Sequence, residues 1–283
     1  MREEKTTATA ERQDSGRQET AGGLGEGQRA SRGVLAERAG RRRKRTEQAR
    51  VDWRVLVWAD RFRFVTAARL AVHLGVSEQQ ARARCRRLAD GGLLQRVPRG
   101  EMQAAVFYVT ARAAQIIGSP PRPRAPHPEG AITHELEIID AVHAIEHHTD
   151  GMHWKVLTER ECRRRQQQGE GTYSVMLPNA GGRTSTRWPD LVLEHPQHGR
   201  RAIEFELTDK YSDRLRRILD GYLYSPDYTQ AIWLTPSPLL LRRLNRLADE
   251  RAAQRYGENS RSRILTLPLP NDPRQIPSRV LTA

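Results

Sequence analysis

Cysteine is nearly absent: Cys85 and Cys162 are the only two in 283 residues. That excludes a disulfide framework and a cysteine zinc site, and both are expected as free thiols in a reducing compartment. Long apolar runs are missing as well. No stretch approaches the roughly 20 apolar residues that a membrane helix needs, so no membrane partner is expected. No apolar segment follows Met1-Arg2-Glu3-Glu4-Lys5, so no secretory signal is expected either. A cytoplasmic protein is the reading these absences leave. Negative charge is in deficit. The chain carries a formal +14, of which +5 falls in residues 1–50, +6 in 51–117 and only +3 beyond. A basic balance concentrated early points to an anionic partner for the first half.

Large apolar residues are scarce from residue 1 to about 40. Such a segment cannot bury enough surface to offset its ordering entropy, so a disordered basic arm is expected over 1–50. Arg41, Arg42, Arg43, Lys44 and Arg45 follow one another there. They suit an arm lying along phosphates, or else a solvated tail or the first turns of a helix.

From Asp52 the chain becomes periodic. Trp53, Leu56 and Val57 outline a first helix. Thr66 is placed to cap a second, with Ala67, Leu70, Ala71 and Leu74 at helical spacing. Gly75 and Val76 make a turn, and Ser77 caps a third helix with Ala81, Cys85 and Leu88 as its buried stripe. Gly91 and Gly92 end it. Two strand signals, 93–97 and 104–109, flank a Pro- and Gly-containing loop, and Thr110 caps a short helix to Ile117. This order over 51–118 resembles a winged helix-turn-helix, whose second motif helix lies in the DNA major groove. Ser77, Gln79, Gln80, Arg82, Arg86 and Arg87 would face duplex DNA from that helix, and Arg96 and Arg99 would meet phosphate from the wing.

Residues 119–130 are Pro-rich and read as a semi-rigid spacer. A second domain is expected over 131–268 and a loosely held Pro-rich tail over 269–283. The second domain opens with a helix of about 131–149 carrying Glu135 beside its apolar stripe, while its histidines read as surface or satisfied groups. Strands follow at 154–158 and 172–177. An apolar run after Asp190, a turn at 195–199 and an alternating run from Arg201 form a hairpin. Alternation places Ile203, Phe205 and Leu207 on one face and Ala202, Glu204 and Glu206 on the other. Glu204 and Glu206 thus stand near Asp190 on the adjoining strand. Converging carboxylates suit a hard divalent cation, Mg2+ or Mn2+. A helix capped by Thr208 or Asp209, a strand at 230–235, another helix and a last strand at 263–267 complete a mixed α/β domain around a central sheet.

The hairpin resembles the PD-(D/E)xK nuclease-like superfamily. Pro189 and Asp190 fill the first half of its pattern and Glu204 the acid, while Glu206 stands where the pattern has Lys. The resemblance implies Asp190, Glu204, Glu206 and Lys210 as catalytic groups if the site is active, and Asp190, Glu204 and Glu135 as metal ligands. Taken whole, residues 52–267 resemble the replication-relaxation family of actinobacterial plasmids and integrative elements. The residues that carry this are the winged helix, His134-Glu135-Leu136, the run from Val156 to Glu161, Arg187-Trp188-Pro189-Asp190, and Ile203-Glu204-Phe205-Glu206 with its following helix. That resemblance implies a DNA-binding accessory protein in plasmid replication, DNA relaxation or conjugative mobilisation. Its partners would be double-stranded DNA and a relaxase, replication protein or other mobilisation protein. A metal-dependent endonuclease or nickase is the alternative reading, and a homodimeric transcriptional repressor a further one.

Overall fold

The structure is a computed structural model. It describes residues 25–100, 103–120, 129–178, 182–208, 211–255 and 258–282, with side chains described over 41–254 and 261–282 within those ranges. The chain divides into two units, Met1–Arg50 and Val51–Ala283. In the first, the described residues belong to α1, which runs Gly25–Asp60. The disordered arm is thus corrected from Gly25 onward; residues 1–24 lie outside the described set. The physical reason is propensity. Ala, Arg, Gln and Glu dominate this stretch and are strong helix formers even where no apolar stripe exists. Arg41, Arg42, Arg43, Lys44 and Arg45 are all exposed on the helix, and the Thr46 hydroxyl donates back to Arg42 O at 3.0 Å.

In the second unit, local chemistry sets the first elements as the sequence requires. Thr66 accepts from Arg69 N and opens α2 (Ala67–Leu74), which stops at Gly75 with φ 65°. Ser77 and Gln80 form a reciprocal capping box that opens α3 (Glu78–Asp90), with Ala81, Cys85 and Leu88 buried. Gly92 takes φ 68° at its end, a conformation glycine adopts without steric cost. β2 (Leu94–Val97) and β3 (Val106–Val109) pair antiparallel. β1 (Val65–Thr66) adds to the other edge of β3, giving the order β1-β3-β2. Thr110 caps α4 (Ala111–Ile116).

The rest is built on a mixed five-stranded sheet of order β10-β9-β8-β7-β4. Its strands are β4 (Lys155–Thr158), β7 (Leu191–His195), β8 (Gly199–Phe205), β9 (Gln230–Thr235) and β10 (Ile264–Pro268). β7 pairs antiparallel with β4 and β8; β9 pairs parallel with β8 and β10. Alternation sends Leu191, Leu193, Ile203, Phe205, Ile232 and Leu234 to one face, where they meet Ile138, Ile139, Val142 and Ile145 of α5 (Glu129–His148). Val192, Ala202, Ala231 and Trp233 face the other way, onto α7 (Ser212–Tyr224) and α8 (Pro238–Arg255). A separate two-stranded ribbon joins β5 (Val175–Pro178) to β6 (Thr184–Arg187).

Two sequence expectations change, and one element is added. The charged stretch after β4 is a helix, α6 (Glu159–Gln167), because Thr158 and Glu161 form a second capping box. α7 starts at Ser212 with Tyr211 as a cap that makes no side-chain bond, so Thr208 does not open it; Asp209 lies outside the described residues. The tail is not loose. Its last helix, α9 (Ile276–Leu281), buries Ile276 and Val280 in the main core, and Arg201 donates to Val280 O at 2.8 Å.

The expected boundary at 119–130 does not separate two cores. Most of the spacer, 121–128, lies outside the described residues. Beside it, Ser119 donates to Asp60 at 2.5 Å, and Arg160 of α6 grips Asp60 and Ser119 at 2.9 Å each. A single apolar cluster then runs from Val55, Trp58, Leu70 and Phe107 in the first half to Ile139, Leu191 and Ile232 in the second.

Candidate functional site

The β7–β8 register, Leu191 opposite Ile203, sets Asp190 beside the end of β8. One Asp190 oxygen accepts from Phe205 N at 2.8 Å. His134 of α5 reaches the same corner, with Nε2 3.0 Å from Phe205 O and 3.4 Å from Asp190 Oδ2. Burial opposes a charge on His134, but the hydrogen bond and charge of Asp190 outweigh it and hold its pKa above 6.5. Burial likewise pushes the Asp190 carboxyl up, and His134 and Arg187 pull it down further, below the usual aspartate range.

Glu204 lies on the opposite sheet face and is 2% exposed. Arg187 Nε donates to Oε1 at 3.2 Å, and a second arginine nitrogen donates to Oε2. The Tyr222 hydroxyl of α7 donates to Oε1 as well. Glu204 holds the Arg187 guanidinium firmly charged. Burial, then the charge of Glu204, pushes the Tyr222 hydroxyl well above its usual pKa. Asp190 and Glu204 lie close enough to feel each other's charge, but each is matched by a different cation.

This donor set does not fit Mg2+ or Mn2+. Both Glu204 oxygens take hydrogen bonds from Arg187 and Tyr222, and Asp190 is bonded to the Phe205 amide and to His134. Glu135 lines the same cavity as Asp190, but its carboxylate is engaged by Arg63. It accepts from Arg63 N at 2.6 Å, and the Arg63 guanidinium lies 3.9 Å from it. Glu206 is buried, with its amide on Leu234 O at 2.9 Å. Lys210 lies outside the described residues. Among the described residues no group of three or more His, Cys, Asp and Glu is arranged to hold a metal ion.

Two cavities adjoin this corner. One of about 900 Å3 is lined by Phe64, Tyr108, Ile132, His134, Glu135 and Asp190, so it takes walls from both halves. A second of about 430 Å3 shares Arg63, Glu159, Arg163 and Asp190 with it, then extends along Arg187, Trp188, Arg214 and Arg217.

The outward side of α3 is the other candidate surface. Ser77, Gln79, Gln80, Arg82, Arg86 and Arg87 are exposed, as is Arg96 on β2. Their duties differ. Ser77 and Gln80 cap the helix. Arg82 pairs with Glu78 at 2.5 Å and Arg87 with Asp52 at 2.8 Å. Arg99 is tied to Glu129. Gln79, Arg86 and Arg96 are left pointing outward.

Sequence reasoning missed His134, Arg187, Tyr222 and Arg63 as parts of the site. Arg187 and Tyr222 flank the carboxylate hairpin, but only the fold shows that they converge on Glu204. His134 carried a weak signal, since it precedes Glu135 on the helix that covers the sheet.

Fold and site define a mixed α/β chain with a carboxylate–arginine corner on a central sheet and a basic outward helix. Among the described residues, no helix is long and apolar enough to cross a membrane. No family model matches the chain, and no curated protein or solved structure does.

Proposed function

We propose that this chain is a DNA-binding accessory protein that docks on duplex DNA through α3 and the β2–β3 hairpin, used as a winged helix-turn-helix. Its second half is read as a nuclease-like scaffold that does not cut. The observation that carries this is the capped α3, whose buried stripe leaves Gln79 and Arg86 outward beside Arg96. Arg and Gln reach base edges from such a helix, and wing arginines meet phosphate. The first-half charge excess agrees, because phosphate neutralisation supplies much of DNA affinity. The resemblance to the replication-relaxation family adds the setting: cytoplasmic replication, relaxation or mobilisation of a plasmid or integrative element, with a relaxase or replication protein as partner.

A mobility-shift titration tests it. Arg86→Ala with Arg96→Ala is expected to lower duplex affinity at least about tenfold and to flatten the salt slope by about 1. Unchanged affinity and slope sink the reading. A nickase is the second reading, which the hydrogen bonds of Arg187 and Tyr222 on Glu204 disfavour. Metal-dependent nicking of supercoiled plasmid, lost in Asp190→Ala, would move the assignment there.

A further inference from the structure

The smaller cavity has a composition that the duplex reading does not use. Five arginines line it, at 63, 163, 187, 214 and 217, against two acids, Glu159 and Asp190. Glu159 is shared between Arg63 at 3.1 Å and Arg163 at 2.6 Å. Arg187 is matched by Glu204 from below. Arg214 and Arg217 are exposed and lie one turn apart on α7, so both stand on the groove's rim. Arg217 Nε also donates to Asp213 O at 3.4 Å. With Glu204 counted, five arginines face three carboxylates, and a concave site of that basic balance favours an anion.

A second feature narrows the anion. Trp188 lines the same groove, half-buried, with the Arg163 guanidinium 4.9 Å from its ring centroid. An unpaired base extends such an arginine–aromatic stack, whereas a duplex keeps its base faces inside its own stack. The volume, about 430 Å3, suits a short piece of one strand. The third feature is Arg187 itself. It supplies a fixed positive charge beside Asp190 and Glu204, where a nuclease site would need a metal to offset the same carboxylates.

We propose that this groove binds single-stranded DNA without a metal ion, with the backbone phosphates on Arg214 and Arg217 and a base on the Arg163–Trp188 stack. The proposal does not depend on α3 and stands or falls separately from the duplex reading.

Fluorescence anisotropy of the full chain in EDTA tests it, with a fluorescein-labelled oligothymidine of about a dozen nucleotides as probe and a duplex of equal length beside it. Arg214→Glu with Arg217→Glu is expected to weaken oligothymidine at least about tenfold and the duplex less than about threefold. Arg86→Ala with Arg96→Ala is expected to do the reverse. Trp188→Leu should weaken oligothymidine about tenfold, the size of one lost base stack. Circular dichroism checks that each variant folds; the two rim arginines are exposed, so their reversal leaves the core intact. Three results overturn the proposal: undiminished oligothymidine binding in the rim variant, equal loss of both ligands in the rim variant, or binding that EDTA abolishes and Mg2+ restores. Thymidine monophosphate displacing the probe at the probe's own concentration would also overturn it, in favour of a free nucleotide.

Discussion

Replacing Arg187 by Met removes the cation from a carboxylate that stays buried. Glu204 is 2% exposed and the Arg187 side chain 20%, so water screens the pair poorly. Removing one partner of a buried ion pair costs about 3–5 kcal/mol. The lower end applies, about 3 kcal/mol, because the Tyr222 hydroxyl still bonds one Glu204 oxygen and because protonation of the acid limits the loss. For a unit of this size each kcal/mol moves Tm by about 2–4 °C, so a fall of about 6–12 °C is expected. The deficit has a pH signature. An isolated buried carboxyl has a folded pKa above its unfolded value, so it costs stability as pH rises past about 4.3. Urea unfolding should therefore show a smaller deficit at pH 5 than at pH 7. Adding Glu204→Gln should recover most of the loss, since a neutral amide tolerates the missing guanidinium. A deficit below about 0.5 kcal/mol, the scale of an exposed pair, or one that does not vary with pH, refutes the reasoning.

His134 is expected to titrate above 6.5 by imidazole NMR, and the stability it contributes is complete below that value and lost as pH rises through its raised pKa. In Asp190→Asn the largest attraction goes and burial remains, so the midpoint should fall; an unmoved midpoint would show that the two do not interact. Ile276→Ala in α9 should cost about 2–5 kcal/mol, as for other buried Ile truncations, and a loss near zero in thermal melts would mean that the tail is loose after all.

The elements legible in the sequence were those marked by local chemistry. Thr66, Ser77 and Thr110 announced their helices through caps, and the alternation after Arg201 announced β8 and its two faces. α6 was overlooked because its Arg- and Gln-rich surface hides a single buried residue, Cys162. The helical part of the expected arm was misread because composition was weighed against burial, while helix propensity acts without burial. The tail was misread from its prolines, two of which sit at the starts of short helical turns where proline is welcome. At the candidate site the carboxylates were visible and their neutralisers were not. Arg187 is 17 residues from Glu204 and Tyr222 is 18, and no spacing rule links a strand acid to partners that far away. Lys210, which the resemblance implies as a catalytic group, sits outside the described residues.

The apolar cluster that ties Val55 and Phe107 to Ile139 and Ile232 bears on how the protein can be taken apart. Severing the chain at the prolines would bare two matching oily surfaces, and each fragment would be prone to clump. Dissection of this molecule therefore belongs to point variants on its rim and outward helix, made in the uncut polypeptide.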